Sequence, residues 1–232
     1  DVVFLAVGTP ARRGDGDADL QYIFAAAREV AGALKGYTVI ATKSTVPVGT
    51  GDEVERIVRE SNPAADFAVV SNPEFLREGT SIKDYDRPPI TIVGTKSTRA
   101  ADVLRQVFGS LPCEFVVTSI GVAEMQKYAA NAFHAVKITF ANEIGRLAQA
   151  VGVDAREVMG LICKDTQLNI SPAYLRPGFA FGGSCLPKDL RALTYMGKTR
   201  DVVTPMLGGV LGSNRAHIDA AIDQVMQGET RK

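Results

Sequence analysis

The sequence predicts an α/β fold: a partial doubly wound parallel sheet, followed by a long central helix and an all-α dimerisation domain. Three observations lead there. Short apolar runs alternate with helical patterns through the first 118 residues, which implies strands joined by right-handed crossovers. Each apolar run is closed by turn residues. From Gly121 the pattern changes to one uninterrupted helical stretch, residues 122–151, with no Pro and only Gly145 inside it.

The elements follow in order. Residues 2–7 are a continuous apolar run ending in Gly8-Thr9-Pro10, as expected of a strand buried on both faces. Residues 11–19 are polar and read as a loop. Residues 20–34 place Ile23, Ala27, Val30, Ala31 and Leu34 at helical spacing, with Asp19 as a candidate N-cap. Strands are expected over 38–42, 67–70, 90–93 and 114–117, and helices over 52–61 and 98–108. Beyond the long helix, 154–165 and 187–197 read as helices, 168–184 as a Gly/Pro/aromatic loop, and 213–228 as a final helix. Domain boundaries are expected at 1–119, 120–212 and 213–232, the last beginning a linker.

Composition narrows the function. The 232 residues are 46% hydrophobic, enough for a packed core. Lys+Arg and Asp+Glu both total 26, which leaves no basic excess for a nucleic-acid partner. No apolar run reaches the roughly 20 residues of a membrane span. Three cysteines without framework spacing suggest a reducing, cytoplasmic setting, and two histidines make a His-rich metal site unexpected. Cys113 and Cys163 sit in apolar surroundings and read as core.

Three constellations stand out. In the long helix, Lys127, Asn131 and His134 fall on one face, with Asn142 near the same stripe. Such a stripe in apolar surroundings calls for polar partners, either solvent or a ligand. Gly182-Gly183-Ser184-Cys185-Leu186-Pro187-Lys188-Asp189 places Cys185 at a helix N-terminus with Lys188 one turn on, a setting that favours a thiolate nucleophile. Asn72-Pro73-Glu74-Phe75-Leu76-Arg77-Glu78-Gly79 sets two carboxylates four residues apart after a strand end, either as a base or as a helix start. Ligands of doubly wound sheets sit beyond the strands' carboxyl ends, where Gly8-Thr9-Pro10, Ser44-Thr45 and 72–74 all fall.

Together with Lys43-Ser44-Thr45-Val46, these segments resemble the UDP-glucose/GDP-mannose dehydrogenase family, in order and spacing, over nearly the whole chain. The resemblance implies a Rossmann-like domain, NAD as cofactor, and four-electron oxidation of a nucleotide sugar's C6 alcohol. It implies Cys185 as the nucleophile that forms a thiohemiacetal and then a thioester. Lys127 and Asn131 would stabilise the oxyanion, Glu74 would act as acid/base, and Asp189 would orient Lys127 or the hydrolytic water. Thr9, Ser44, Thr45, Glu78 and Lys188 would meet the cofactor. Glu78, Lys127, Asn131, His134, Asn142, Tyr174, Arg176, Phe179 and Gly182 would meet the substrate. The segments around His134 and over 168–181 look more like the GDP-mannose branch than the UDP-glucose branch, although Ala173 departs from its pattern. The long apolar helix exceeds what one small domain can cover and suggests a homodimer through it, and a role in polysaccharide biosynthesis follows from the resemblance.

The resemblance also makes the chain a fragment. The Gly-rich pyrophosphate fingerprint would precede Asp1 and a C-terminal domain would follow Lys232, so this piece alone is expected to bind NAD poorly. The alternatives are a UDP-glucose or UDP-N-acetyl-hexosamine 6-dehydrogenase, a non-catalytic dimerisation module, and a two-electron dehydrogenase that would not need Cys185.

Overall fold

The structure is a computed structural model that describes residues 1–12, 17–77 and 79–229. It divides into two compact units, Asp1–Ala132 and Phe133–Lys232. The first holds β1 (Val2–Leu5), α1 (Gln21–Ala33), β2 (Thr38–Thr42), α2 (Thr50–Ser61), β3 (Phe67–Ser71), α3 (Ser81–Asp86), β4 (Ile90–Thr95), α4 (Thr98–Phe108) and β5 (Glu114–Thr118). The helix α5 (Ile120–Ala150) begins in this unit and ends in the second. The second unit continues with α6 (Ala155–Lys164), α7 (Cys185–Lys198) and α8 (Pro205–Glu229).

The five strands form one sheet in the order β1-β2-β3-β4-β5. Residues of β2 alternate between its faces, and the whole strand is buried. Ile40 joins Leu5, Phe67 and Val69 under Ile23 and Ala27 of α1 and Val54 and Ile57 of α2. Val39 and Ala41 point the other way, to Val70, Val93 and the Ala101 and Leu104 side chains of α4. Helices therefore cover both faces, the doubly wound arrangement the apolar runs predict.

One pairing departs from the parallel pattern. β4 runs antiparallel to β3, with Ser71 opposite Gly94, whereas β1–β2, β2–β3 and β4–β5 are parallel. The link from β3 to β4 holds the six-residue α3, about 9 Å of helix. The sequence reading had no helix at α3.

The start of α5 packs tightly on this sheet. A Cβ on Gly94 would lie 2.6 Å from the Ala123 Cβ, and one on Gly51 would lie 2.5 Å from the Ile120 Cγ2. The same helix supplies the cap that α2 lacks. Gly49 precedes α2 at φ 98°, a conformation that favours glycine, and offers no side chain. Instead the buried Glu124 carboxylate accepts the Gly49 N–H through Oε2 and the Gly51 N–H through Oε1, both at 2.8 Å. Burial pushes the Glu124 carboxyl above its ordinary value, against the pull of these two amides.

The arrangement recurs in the second unit. Glu143 of α5 is fully buried, and its Oε1 and Oε2 accept the N–H groups of Met206 and Leu207 at 2.8 and 2.9 Å. Pro205 suits the first helical position, where no N–H is needed. These two features explain why α8 starts at Pro205 and not near Ser213 as its glycines suggest. The second unit has a thin core: among the described residues only Leu147 and Ala148 of α5 and Leu207 of α8 are buried apolar residues there. No residue of α6 is buried, and Cys163 on it is exposed, which corrects its reading as core; Cys113 is half-buried.

Glu124→Ala and Glu143→Ala should each destabilise the fold by about 2 kcal/mol, because each strands two helix-terminal amides. The two carboxylates share no partner, so the losses should add in urea titrations of the double variant.

Candidate functional site

In the first unit, the carboxyl ends of β1 and β2 are tied together through their loops. Thr9 Oγ1 donates to the Thr45 carbonyl at 2.9 Å, and Ser44 Oγ donates to the Val7 carbonyl at 2.6 Å. Beside them Val7, Gly8, Thr9, Pro10, Tyr22 and Glu29 line an open groove of about 820 Å³. A Cβ on Gly8 would meet nothing within 4 Å, so the space above this backbone is free for a ligand. Hydroxyls, bare backbone and an apolar floor at strand carboxyl ends suit a dinucleotide.

The end of β3 carries the acid/base candidate. Asn72 is buried and its Nδ2 donates to the Ile92 carbonyl at 2.7 Å, which fixes the chain before Pro73. Glu74 follows, half-buried, and accepts the Leu76 N–H through Oε2. Lys127 of α5 is buried and turns to this residue. Its Nζ donates to the Glu74 carbonyl at 2.6 Å, lies 3.2 Å from Glu74 Oε1, and stands 5.4 Å from the Phe75 ring centroid. Asn131, one turn further along α5, is exposed. Lys43, Asn72, Glu74, Phe75, Asp84 and Phe108 help line a cavity of about 220 Å³. Burial lowers the Lys43 pKa, and Glu74 partly offsets that.

Sequence reasoning missed Asp84, which holds the far end of this loop. It is buried on α3 and accepts the Arg77 Nε and Nη2 hydrogens at 3.0 and 2.7 Å, the Arg77 backbone N–H at 3.0 Å and the Thr80 hydroxyl at 2.9 Å. The Arg77 guanidinium holds the Asp84 carboxyl far below the usual carboxylate range, against the opposing effect of burial. Glu78 lies outside the described residues.

The second unit carries the nucleophile candidate. Cys185 is the first residue of α7 and is exposed. Gly183, two residues earlier, has φ 78°, which a side chain rarely tolerates. Lys188 closes the first turn of α7 and Asp189 follows it, both exposed, with their charged groups 3.5 Å apart. His134, Asn142, Arg176 and Gly182 are exposed, as is Tyr174, which adopts φ 62°. Phe179 is exposed as well, and its ring lies 6.4 Å from that of His217. Glu124, Glu143, Asn214 and His217 also escaped the sequence reading. For Glu124 and Glu143 the signal available was a carboxylate set among apolar helix neighbours.

Among the described residues no helix is long and apolar enough to cross a membrane, and no group of three or more His, Cys, Asp or Glu could hold a metal ion.

Residues 1–112 match the model of the UDP-glucose/GDP-mannose dehydrogenase family, NAD binding domain, and residues 121–216 match its central domain. GDP-mannose 6-dehydrogenase of Pseudomonas aeruginosa is 46% identical over 239 aligned residues, covering 100% of this chain and 55% of the relative. UDP-glucose 6-dehydrogenase of Rhizobium meliloti is 52% identical over 206 residues, covering 87% of this chain and 47% of the relative. The crystal structure of a ternary complex of the Pseudomonas aeruginosa GDP-mannose dehydrogenase superposes with a TM-score of 0.95 at 46% identity, over 98% of this chain and 53% of that one. The chain thus spans about half the length of the curated relatives it matches.

Stability should report the Asp84 contact through its pH dependence. A carboxyl whose folded pKa is depressed stabilises the fold above its unfolded value, about 3.9, and loses that contribution as pH falls towards the folded value. The Tm gap between the wild type and Asp84→Asn should therefore be widest near neutrality and narrow below about pH 4. A gap constant from pH 7 to pH 3 would contradict the assignment.

Proposed function

Because this chain belongs to the UDP-glucose/GDP-mannose dehydrogenase family, we propose that the protein carrying it oxidises the C6 alcohol of GDP-mannose to the carboxylate in two NAD-dependent steps. The observation that carries the reading is the pairing of buried Lys127 with Glu74, in a chain whose Cys185 opens a helix behind Gly182 and Gly183. Similarity over the full chain to a GDP-mannose 6-dehydrogenase supports the sugar.

The groove at Gly8 and Thr9, with Ser44 and Thr45 behind it, fits the cofactor, and Glu78 and Lys188 would complete the contacts. NAD, when bound, supplies the hydride acceptor for both oxidations. Glu74 takes the proton of the C6 hydroxyl, directly or through water, as the alcohol becomes an aldehyde. The Cys185 thiolate then adds to the aldehyde carbon. Its carbonyl oxygen becomes an alkoxide, held by Lys127 and Asn131 and protonated to a thiohemiacetal. Loss of the C6 hydride and the hydroxyl proton leaves a thioester. Water, deprotonated by Glu74 and ordered by Asp189, adds to the thioester carbon. The C–S bond breaks, and carboxylate and the free thiol remain. His134, Asn142, Tyr174, Arg176, Phe179, Gly182 and Glu78 hold the sugar nucleotide, with Arg176 suited to its phosphates.

A homodimer through α5 belongs to the same reading. It is supported by the thin core of the second unit and by exposed Phe133, Val136 and Ile138 on that helix. The product would be a uronate used in cytoplasmic supply of an acidic polysaccharide. The 52% identity to a UDP-glucose 6-dehydrogenase favours a second reading, UDP-glucose as substrate.

The test counts NADH per sugar consumed by the complete gene product. Two NADH per GDP-mannose are expected, and Cys185→Ser should stall before the carboxylate. Two per UDP-glucose and none with GDP-mannose would transfer the reading to the second sugar. One NADH per sugar, unchanged in Cys185→Ser, would refute the thioester route.

A further inference from the structure

The chain has two histidines, and His217 has no part in the reaction described above. It lies on α8 one turn after Asn214, so both side chains leave the same face of that helix. Both reach the segment that leads to the nucleophile. Asn214 Oδ1 accepts the Phe181 N–H at 2.9 Å, and Asn214 Nδ2 donates to the Phe181 carbonyl at 2.9 Å. One side-chain amide thus satisfies both backbone groups of one residue, as a neighbouring strand would. His217 Nε2 is 2.9 Å from the Gly178 carbonyl. A carbonyl only accepts, so Nε2 carries the hydrogen, and the contact survives in the neutral and the protonated ring alike. The same imidazole stands against the Phe179 ring, tilted at 58°.

Residues 178–184 lie in no helix and no strand, so backbone ladders do not fix them. Two anchor points three residues apart fix both the position and the direction of a chain segment, which a single contact cannot do. The anchored stretch holds Phe179 and runs directly into Gly182 and Cys185. We propose that Asn214 and His217 are positioning residues: they set the 178–182 segment so that it presents Phe179 and Gly182 to the nucleotide sugar and Cys185 to its C6 carbon. The proposal deepens the dehydrogenase reading and rests on it. Neither residue touches reacting atoms; each acts through backbone it holds.

The test uses the complete gene product with GDP-mannose, UDP-glucose and NAD, together with amide hydrogen exchange. Asn214→Ala should raise KM for the nucleotide sugar roughly tenfold or more, since two hydrogen bonds are lost, while KM for NAD stays within about twofold. Exchange in peptides spanning 178–186 should accelerate, and exchange in β2 should not. Asn214→Asp keeps the acceptor and loses the donor, so it should fall between. His217→Gln can still donate to Gly178 and should recover most of what His217→Ala loses, which also covers the case in which Asn214→Ala does not fold. The proposal is overturned if Asn214→Ala leaves sugar KM and kcat unchanged. It is equally overturned if that variant only lowers the amount of folded enzyme at unchanged KM, or if His217→Gln behaves as His217→Ala. A wild type that oxidises neither sugar would instead sink the dehydrogenase reading. Exchange over 178–186 would still decide the clamp: faster exchange in Asn214→Ala upholds it, and unchanged exchange rejects it.

Discussion

Two buried carboxylates on one helix hold the architecture together. Glu124 and Glu143 each turn both oxygens onto the first amides of another helix, α2 in one unit and α8 in the other. A helix start leaves several N–H groups without partners and concentrates partial positive charge there. A buried Glu is costly alone and stable only against such a target. Each contact therefore satisfies two problems at once, and α2 has no side-chain cap of its own. Replacing either carboxylate leaves the helix-start amides without partners.

The candidate chemistry inherits this arrangement. Lys127 is one turn beyond Glu124, so the amide cap that seats α5 on the sheet also delivers the ammonium to Glu74. Gly51 and Gly94 permit that approach, because a single methyl at either position would collide with α5. The loop bearing Glu74 is then tied at both ends, by Asn72 to β4 and by Asp84 through Arg77. In the other unit Asn214 and His217 hold the stretch before Cys185 in a comparable way. Glu74 stands on a loop and Cys185 just after one, and Asp84, Asn214 and His217, which hold those loops, stand on helices.

Much of this was legible in the residues. Short continuous apolar runs located the five strands, because burial on both faces imposes them, and apolar residues at 3.6-residue spacing located most helices. Strand direction was not legible: β4 has the same apolar run whichever way it pairs. The start of α8 was hidden because its cap is Glu143, 63 residues away from Met206. Cys163 was misread since apolar neighbours such as Leu161 mark a buried face only where something covers it, and Leu161 is 60% exposed. Glu74, Lys127 and Cys185 were visible from local context, a charge after a strand end, a cation inside an apolar helix, a thiol behind two glycines. Asp84, Asn214 and His217 were not, because their meaning lies wholly in partners supplied by the fold.

The two capping glutamates also differ in time. A chain emerges from its N-terminus, so Gly49 and Gly51 already exist when Glu124 is made. The first unit can close as soon as α5 begins. Glu143 precedes its partners by 63 and 64 residues, which at ordinary synthesis rates is a wait of roughly 3–13 s. For that interval the far half of α5 carries a carboxylate with no helix end to receive it and apolar residues with little to cover them. The second unit thus closes after the first, and its apolar side chains stay uncovered for longer.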